Sequence, residues 1–351
     1  PENKPRIYIP IESKDIVKKG LGFHKPGRLL GRIALKCLRL FVSFGMYFPL
    51  NRNPILFASK IDVQNPMVGS SYQSWIEKII GYSLSSVVAY AGSDSARRKL
   101  TLLAVSGDMS RPDIVVKEGD TKEGKAAIRQ ETRALVTLAD TELAGQVPEL
   151  IFEDKYTDCS LLQGQSVYLN NCNQVSNLTD AHIKVLTTLT KINPVIAKIS
   201  DSNPWKTITK YIRGKLDVTT PIQSIHSLLE IKVLNGASAL FHFVHGDFAP
   251  WNITACDNSI FVYDWEDSRS DGLLGSDLFY YFYSQAHLIG PWPGADKLHK
   301  QLTTNFYRMD VKLPAEFNLD LVLGIWLLDE FSNKPTDHLV ELADVILRKF
   351  K

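Results

Sequence analysis

The stretch FVHGDFAPWNI, Phe243 to Ile253, decides how the chain is read. An apolar run suited to a strand ends in His245, Gly246 and Asp247, and Asn252 follows on the same short loop. Polar side chains gathered where a strand gives way to a loop are well placed for chemistry, because the ladder beneath holds the loop still. A tight loop reverses the chain, so Asp247 and Asn252 can face one space. Further on, SIFVYDWED repeats the arrangement, with Asp264 closing a second apolar run. Two carboxylates and an amide oxygen converging at a lobe boundary are hard ligands of the kind Mg²⁺ takes together with phosphate oxygens. Alone, H-G-D is also an ordinary turn sequence, and its His could be a satisfied buried group.

Upstream, the order of elements adds weight. From Ser86, SSVVAYAG, RKLTLLAVSG and PDIVVKEG are β-branched runs ending in turn residues. A helical stretch, KAAIRQETRALVTLAD, comes next, and VPELIFED and DCSLLQG are again strand-like. This pattern predicts a small antiparallel sheet interrupted by one helix. Lys117 closes the third run and Glu131 lies on the helix, so the two can form an ion pair that aims an ammonium at phosphates. The plainer reading is two surface charges side by side. Beyond Gly164 the pattern is mostly helical, over 180–192, 205–216, 222–241 and from Leu274 onward, with short strands near Phe241–Val244 and Ile260–Tyr263.

With these residues in place, HGDFAPWN followed by VYDWED resembles the catalytic core of the aminoglycoside phosphotransferase and choline kinase family. The resemblance covers roughly Ser86 to Tyr283. It implies an α+β, protein-kinase-like fold in two lobes: a small antiparallel-sheet N-lobe over 81–163 and a mostly helical C-lobe over 164–351. It also implies a kinase that uses ATP, with GTP the alternative donor, and Mg²⁺ to phosphorylate a hydroxyl of a small molecule or glycan. Asp247 would be the catalytic base and His245 would brace its loop. Asn252 and Asp264 would hold the metal, Lys117 would meet the α/β-phosphates, and Glu131 would fix Lys117. Leu161 to Gly164 would supply the hinge backbone that meets the adenine. One departure stands out: the phosphate-covering turn AYAGSDSARRKLTL has a single glycine, Gly92, with Ser93 and Ser95 beside it. That departure leaves open a pseudokinase-like nucleotide-binding scaffold.

Two further groups have competing roles. Asp277 opens a helix, where an N-terminal cap is the simpler reading than acceptor binding. Trp251, Trp265, Tyr280 and Tyr283 could cage a cationic acceptor or simply pack in the core.

The 351 residues carry a net charge of +2, which excludes a generally basic nucleic-acid binder, but the charge is uneven. Residues 1–80 hold 13 Lys/Arg against 5 Asp/Glu, a surplus of +8 that leaves −6 for the rest. Within this basic N-terminal extension, RLLGRIALKCLRLFVSF places Arg28, Arg32, Lys36 and Arg39 on one arc of a helix and apolar residues on the other. That face suits packing on the body, or an anionic membrane surface. The apolar run Leu40–Leu50 is too short to span a bilayer. Four scattered cysteines (Cys37, Cys159, Cys172 and Cys256) form no metal or redox motif, favouring reduced thiols and a cytoplasmic location, which the basic arc would make peripheral at the membrane. An acceptor presented on a cell-envelope saccharide fits the basic front.

Overall fold

The computed structural model describes residues 7–9, 13–23, 37, 40, 68–91, 97, 99–108, 110–157, 160–167, 173–174, 177–215, 218–256, 259–313 and 316–350. The chain divides into two compact units, Pro1–Asn171 and Cys172–Lys351.

The first unit is a six-stranded antiparallel sheet in the order β1-β2-β3-β4-β6-β5. Its strands are β1 (Ile7–Tyr8), β2 (Leu84–Ala91), β3 (Lys99–Ser106), β4 (Asp113–Gly119), β5 (Leu150–Thr157) and β6 (Ser160–Val167). Alternation of side chains gives the sheet two apolar faces. Val87, Ala89, Leu102, Ala104, Ile114, Val116 and Leu162 pack with Ile76 of α2 (Val68–Ile80). Val88, Leu103, Val105 and Val115 pack with Ile16 of α1 (Lys14–Phe23). Lys117, two residues after Val115, therefore points away from α2. The helix α3 (Lys122–Ala139) buries Ala127, Ile128, Glu131, Ala134, Leu135 and Leu138, a stripe at helical spacing that seats it on β4, β5 and β6. Its first turn is closed by Thr121, whose hydroxyl accepts from the Gly124 N–H at 2.9 Å.

The described parts of the first 80 residues pack on the sheet: β1 pairs with β2, α1 lies against β3, and Lys19 bonds Asp113 at 2.8 Å. The division expected after residue 163 falls at 171, because β6 runs unbroken to Val167. The basic positions Arg28, Arg32, Lys36 and Arg39 lie outside the described residues, as do Gly92 and Ser93.

The second unit is mostly helical. Its helices are α4 (Asp180–Leu189), α5 (Asn203–Gly214), α6 (Thr220–Leu234), α7 (Ser276–Ser284), α8 (Ala295–Phe306), α9 (Leu319–Asn333) and α10 (Asp337–Lys349). The centre of this array is α9, apolar nearly all round and packed against α5, α6, α7 and α10. Two small antiparallel sheets carry the loops that matter. One joins β7 (Asn173–Gln174), β10 (Ile253–Cys256) and β11 (Ser259–Val262). The other joins β8 (Val195–Lys198), β9 (Ser238–Val244) and β12 (Arg269–Leu273). The helix expected to reach residue 241 stops at Leu234, and β9 starts at Ser238 after Gly236 takes a φ of 86°. No helix among the described residues is long and apolar enough to cross a membrane.

Candidate active site

In the first unit the Lys117–Glu131 pair is formed and buried. The Lys117 ammonium donates to both carboxylate oxygens of Glu131, at 2.7 and 2.8 Å, and the Glu131 side chain has no exposed surface. Gln165 of β6 donates to the same carboxylate at 3.3 Å. Gln163, also buried, reaches Thr132 on the next position of α3 at 3.0 Å. Strand and helix are thus cross-linked by a polar network within an apolar unit. A charge pair this deeply buried persists only with good geometry and extra donors, and both are present. The bland alternative of two surface charges is excluded.

Leu161 and Gly164, expected in a nucleotide-facing hinge, sit inside β6. Leu161 pairs with Gly119 on one side and Lys155 on the other, and Gly164 with Val116 and Phe152. The ladders on both sides take up this stretch of backbone, so it is not available to a base. The glycine has a packing cause instead, since a Cβ at Gly164 would come within 2.2 Å of the Phe152 ring.

The second unit holds the loop on which the reading began. β9 ends at Val244, and the chain turns at Gly246 with φ of 85°. A Cβ there would lie 2.1 Å from the Asp267 carbonyl oxygen, so both backbone angle and space demand glycine. The His245 ring is fully buried and bridges two elements. Its Nδ1 accepts from the Asp247 N–H at 3.1 Å, so Nε2 carries the proton that meets the Tyr263 carbonyl at 3.1 Å. Trp265 packs against it at 4.4 Å between centroids. His245 therefore ties the Asp247 loop to the end of the β11 run that presents Asp264.

Asp247 is gripped on several sides. The Asn252 amide donates to its Oδ2 at 2.8 Å and to its backbone carbonyl at 3.0 Å. The Trp251 indole N–H lies 3.4 Å from Oδ2. Burial raises the affinity of Asp247 for a proton, and the charge of nearby Asp264 adds to the rise; His245, Tyr280 and Asn252 oppose it. A carboxylate pushed upward is a better proton acceptor, provided it stays ionised at working pH.

Asp264 occupies the left-handed region, with φ of 70° and ψ of 60°. Few side chains sit there without a reason, and the angle turns its carboxylate out of the β11 line. With the Asn252 nitrogen engaged by Asp247, the atom it can offer a cation is its amide oxygen. An amide oxygen and a carboxylate fit Mg²⁺, which takes few protein ligands and fills its shell with water and phosphate. Among the described residues no group of three or more His, Cys, Asp or Glu is arranged to hold a metal.

Sequence reasoning missed the role of Asp277. It neither caps α7, whose N-cap is Gly275, nor stands free for an acceptor. Its carboxylate accepts the His245 N–H at 2.8 Å and the Gly246 N–H at 2.9 Å, pinning the loop from beneath. An Asp at a helix start looks like a cap in any sequence; only its distance from a Gly-Asp loop could have hinted otherwise. Of the four aromatics, Trp265 and Tyr283 are buried packing groups, while Trp251 reaches Asp247.

Comparison with known proteins places this geometry in context. The model of the phosphotransferase enzyme family matches residues 100–289. Curated protein sequences gave no match. Among solved structures, an amicoumacin kinase in complex with AMP-PNP, Ca²⁺ and Ami is 12% identical, with a TM-score of 0.52 over 82% of this chain and 96% of that one. An aminoglycoside phosphotransferase, APH(4)-Ia, in a ternary complex with ADP and hygromycin B is 14% identical, with a TM-score of 0.48 over 79% and 98% of the two chains.

Proposed function

The chain belongs to the phosphotransferase enzyme family, and from that premise we propose that it transfers the γ-phosphoryl group of ATP to a hydroxyl of a small molecule or glycan. The carrying observation is the half-buried Asp247 carboxylate, raised in proton affinity by desolvation and oriented by Asn252. In this reading Asp247 orients the acceptor hydroxyl and takes its proton as the bond to phosphorus forms. Lys117, fixed by Glu131, meets the donor phosphates. Asn252 and Asp264 would hold Mg²⁺, which would neutralise charge on the phosphates. Phosphoryl transfer asks the protein mainly for alignment and charge neutralisation, and this set provides both. A non-catalytic nucleotide-binding scaffold would have no use for the complete set of Lys117, Glu131, Asp247, Asn252 and Asp264.

The test is transfer from γ-labelled ATP, with Mg²⁺, to a panel of sugars, amino alcohols and aminoglycosides, with GTP run in parallel. Labelled product that disappears in Asp264→Ala supports the reading. Nucleotide binding with no transfer to any acceptor or to water supports the scaffold.

The acceptor is read as one presented at an anionic surface, such as a cell-envelope saccharide met by a cytoplasmic, membrane-peripheral enzyme. The support for this is the +8 charge surplus of residues 1–80 and the spacing of Arg28, Arg32, Lys36 and Arg39 in the sequence. Co-sedimentation with anionic but not neutral vesicles, weakened by salt and by reversing Arg28, Arg32, Lys36 and Arg39, is the expected result. Equal sedimentation with neither vesicle removes this part of the proposal.

A further inference from the structure

We propose that Gln165 is a positioning residue for the donor phosphates: its amide holds the Glu131 carboxylate and, through it, aims the Lys117 ammonium. The inference rests on the reading of Lys117 as the phosphate contact and goes beyond it.

Strand β6 is laddered on both sides, with Gln165 opposite Val115 of β4 and Leu150 of β5. Side chains alternate along a strand, so Gln163 and Gln165 share one face, and Gln163 lies directly opposite Lys117. The helix α3 packs on these strands and brings Glu131 to them. Lys117, Glu131, Gln163 and Gln165 are all buried. An amide placed there costs free energy unless its hydrogen bonds are made. The Gln165 nitrogen donates to Oε1 of Glu131 at 3.3 Å, the oxygen that also takes Lys117 at 2.7 Å. Gln163 supports the carboxylate from the side. With its carbonyl turned to the Thr132 hydroxyl and N–H, both at 3.0 Å, its nitrogen lies 3.2 Å from Oε2.

The ion pair by itself leaves a role to fill. An ammonium has three N–H groups, and Lys117 directs two hydrogen bonds at Glu131. Turning towards donor phosphates strains those bonds, and a carboxylate held by the ammonium alone would follow it. Gln165 stands on a strand fixed from both sides, so its N–H keeps Oε1 where the sheet puts it. The amide is also neutral. It steadies Glu131 without cancelling the charge that holds Lys117, as a second cation at this point would.

The experiment titrates the full chain with Mg-AMP-PNP, a donor that is not consumed, by calorimetry in a double-mutant cycle. Gln165→Met keeps the length of the side chain and removes the donor. It is expected to weaken binding about tenfold, the scale of one hydrogen bond to a charged group. The second background replaces both partners, Lys117→Met with Glu131→Leu, because an apolar pair is tolerated where a lone buried charge is not. That background should bind weakly, and adding Gln165→Met should weaken it no further. If the paired replacement does not fold, adenosine takes its place: it carries no phosphate, so Gln165→Met should leave its affinity unchanged. An equal loss in both backgrounds, an equal loss for adenosine, or full affinity in Gln165→Met overturns the inference while leaving Lys117 as the phosphate contact. Wild-type affinity in the paired replacement, or no binding of Mg-AMP-PNP by the wild type, overturns the reading of Lys117 and this inference with it.

Discussion

Glu330, on α9, is a carboxyl group surrounded by other carboxyls. Desolvation raises it from the ordinary 4.5 to about 8, and Asp329 adds to the rise; Asp247 and Asp267 contribute less, and Arg269 opposes it. Arg269 is already committed to Asp329, at 3.0 Å. The folded protein therefore keeps a proton on Glu330 through a range in which the unfolded chain has lost it. Between pH 4.5 and about 8 the folded state binds more protons, so stability falls as pH rises, by about 1.4 kcal/mol per unit. The full window sets a ceiling of about 5 kcal/mol, and residual solvent access at this half-buried group reduces the expectation to about 2–3 kcal/mol. Glu330→Gln keeps the shape and cannot ionise. Urea unfolding of both proteins, followed by tryptophan fluorescence at pH 5 and pH 9, isolates the effect, because other titrations cancel in the difference. The variant should gain about 2–3 kcal/mol relative to wild type between the two pH values. A difference that stays constant with pH would refute the electrostatic account of this cluster.

Other expectations are sharp enough to fail. Lys117→Met leaves Glu131 buried without its cation and should cost about 3–5 kcal/mol in urea unfolding of the first unit; a loss under about 1 kcal/mol would mean that Gln165 and its neighbours suffice. Asp277→Ala strips the acceptor from two N–H groups and should cost about 3 kcal/mol, with faster hydrogen exchange at the His245 and Gly246 amides. If those amides stay protected, the anchoring role is wrong. His182 is buried and its ionisation is lowered to about 4 by desolvation, so the unfolded chain takes up the proton first and stability drops as pH falls from 6.5 towards 4. His182→Gln should flatten that acid limb by about 2 kcal/mol at pH 5, a change readable in thermal unfolding at pH 7 and pH 5.

The candidate site and the fold class were legible in the sequence to different depths. Asp247, Asn252 and Asp264 could be picked out because each closes or follows an apolar run, where a polar side chain has no local reason to be. Lys117 was legible for the same cause and Glu131 from its place on the next helix, and the structure forms the ion pair and buries it. Contacts that depend on distant parts of the chain were not. The two-residue strand β1 is too short to announce itself, and its pairing of Ile7 with Tyr90 crosses about half of the first unit in sequence. Asp277 reaches a loop some thirty residues earlier while carrying the local signature of a cap. Gly164 looked like the end of a strand, but packing against Phe152 is what requires glycine there. In each case local pattern reported a residue's own element correctly and said nothing of what that element meets.

The central claim is that Asp247 takes the proton of an acceptor hydroxyl as phosphoryl transfer occurs. The direct measurement is the single-turnover rate of label transfer from γ-labelled Mg-ATP to the best acceptor in the panel, comparing wild type with Asp247→Asn at matched nucleotide occupancy. The account predicts a rate at least about a hundredfold lower in the variant, with nucleotide affinity retained. Transfer at the wild-type rate in Asp247→Asn would contradict it.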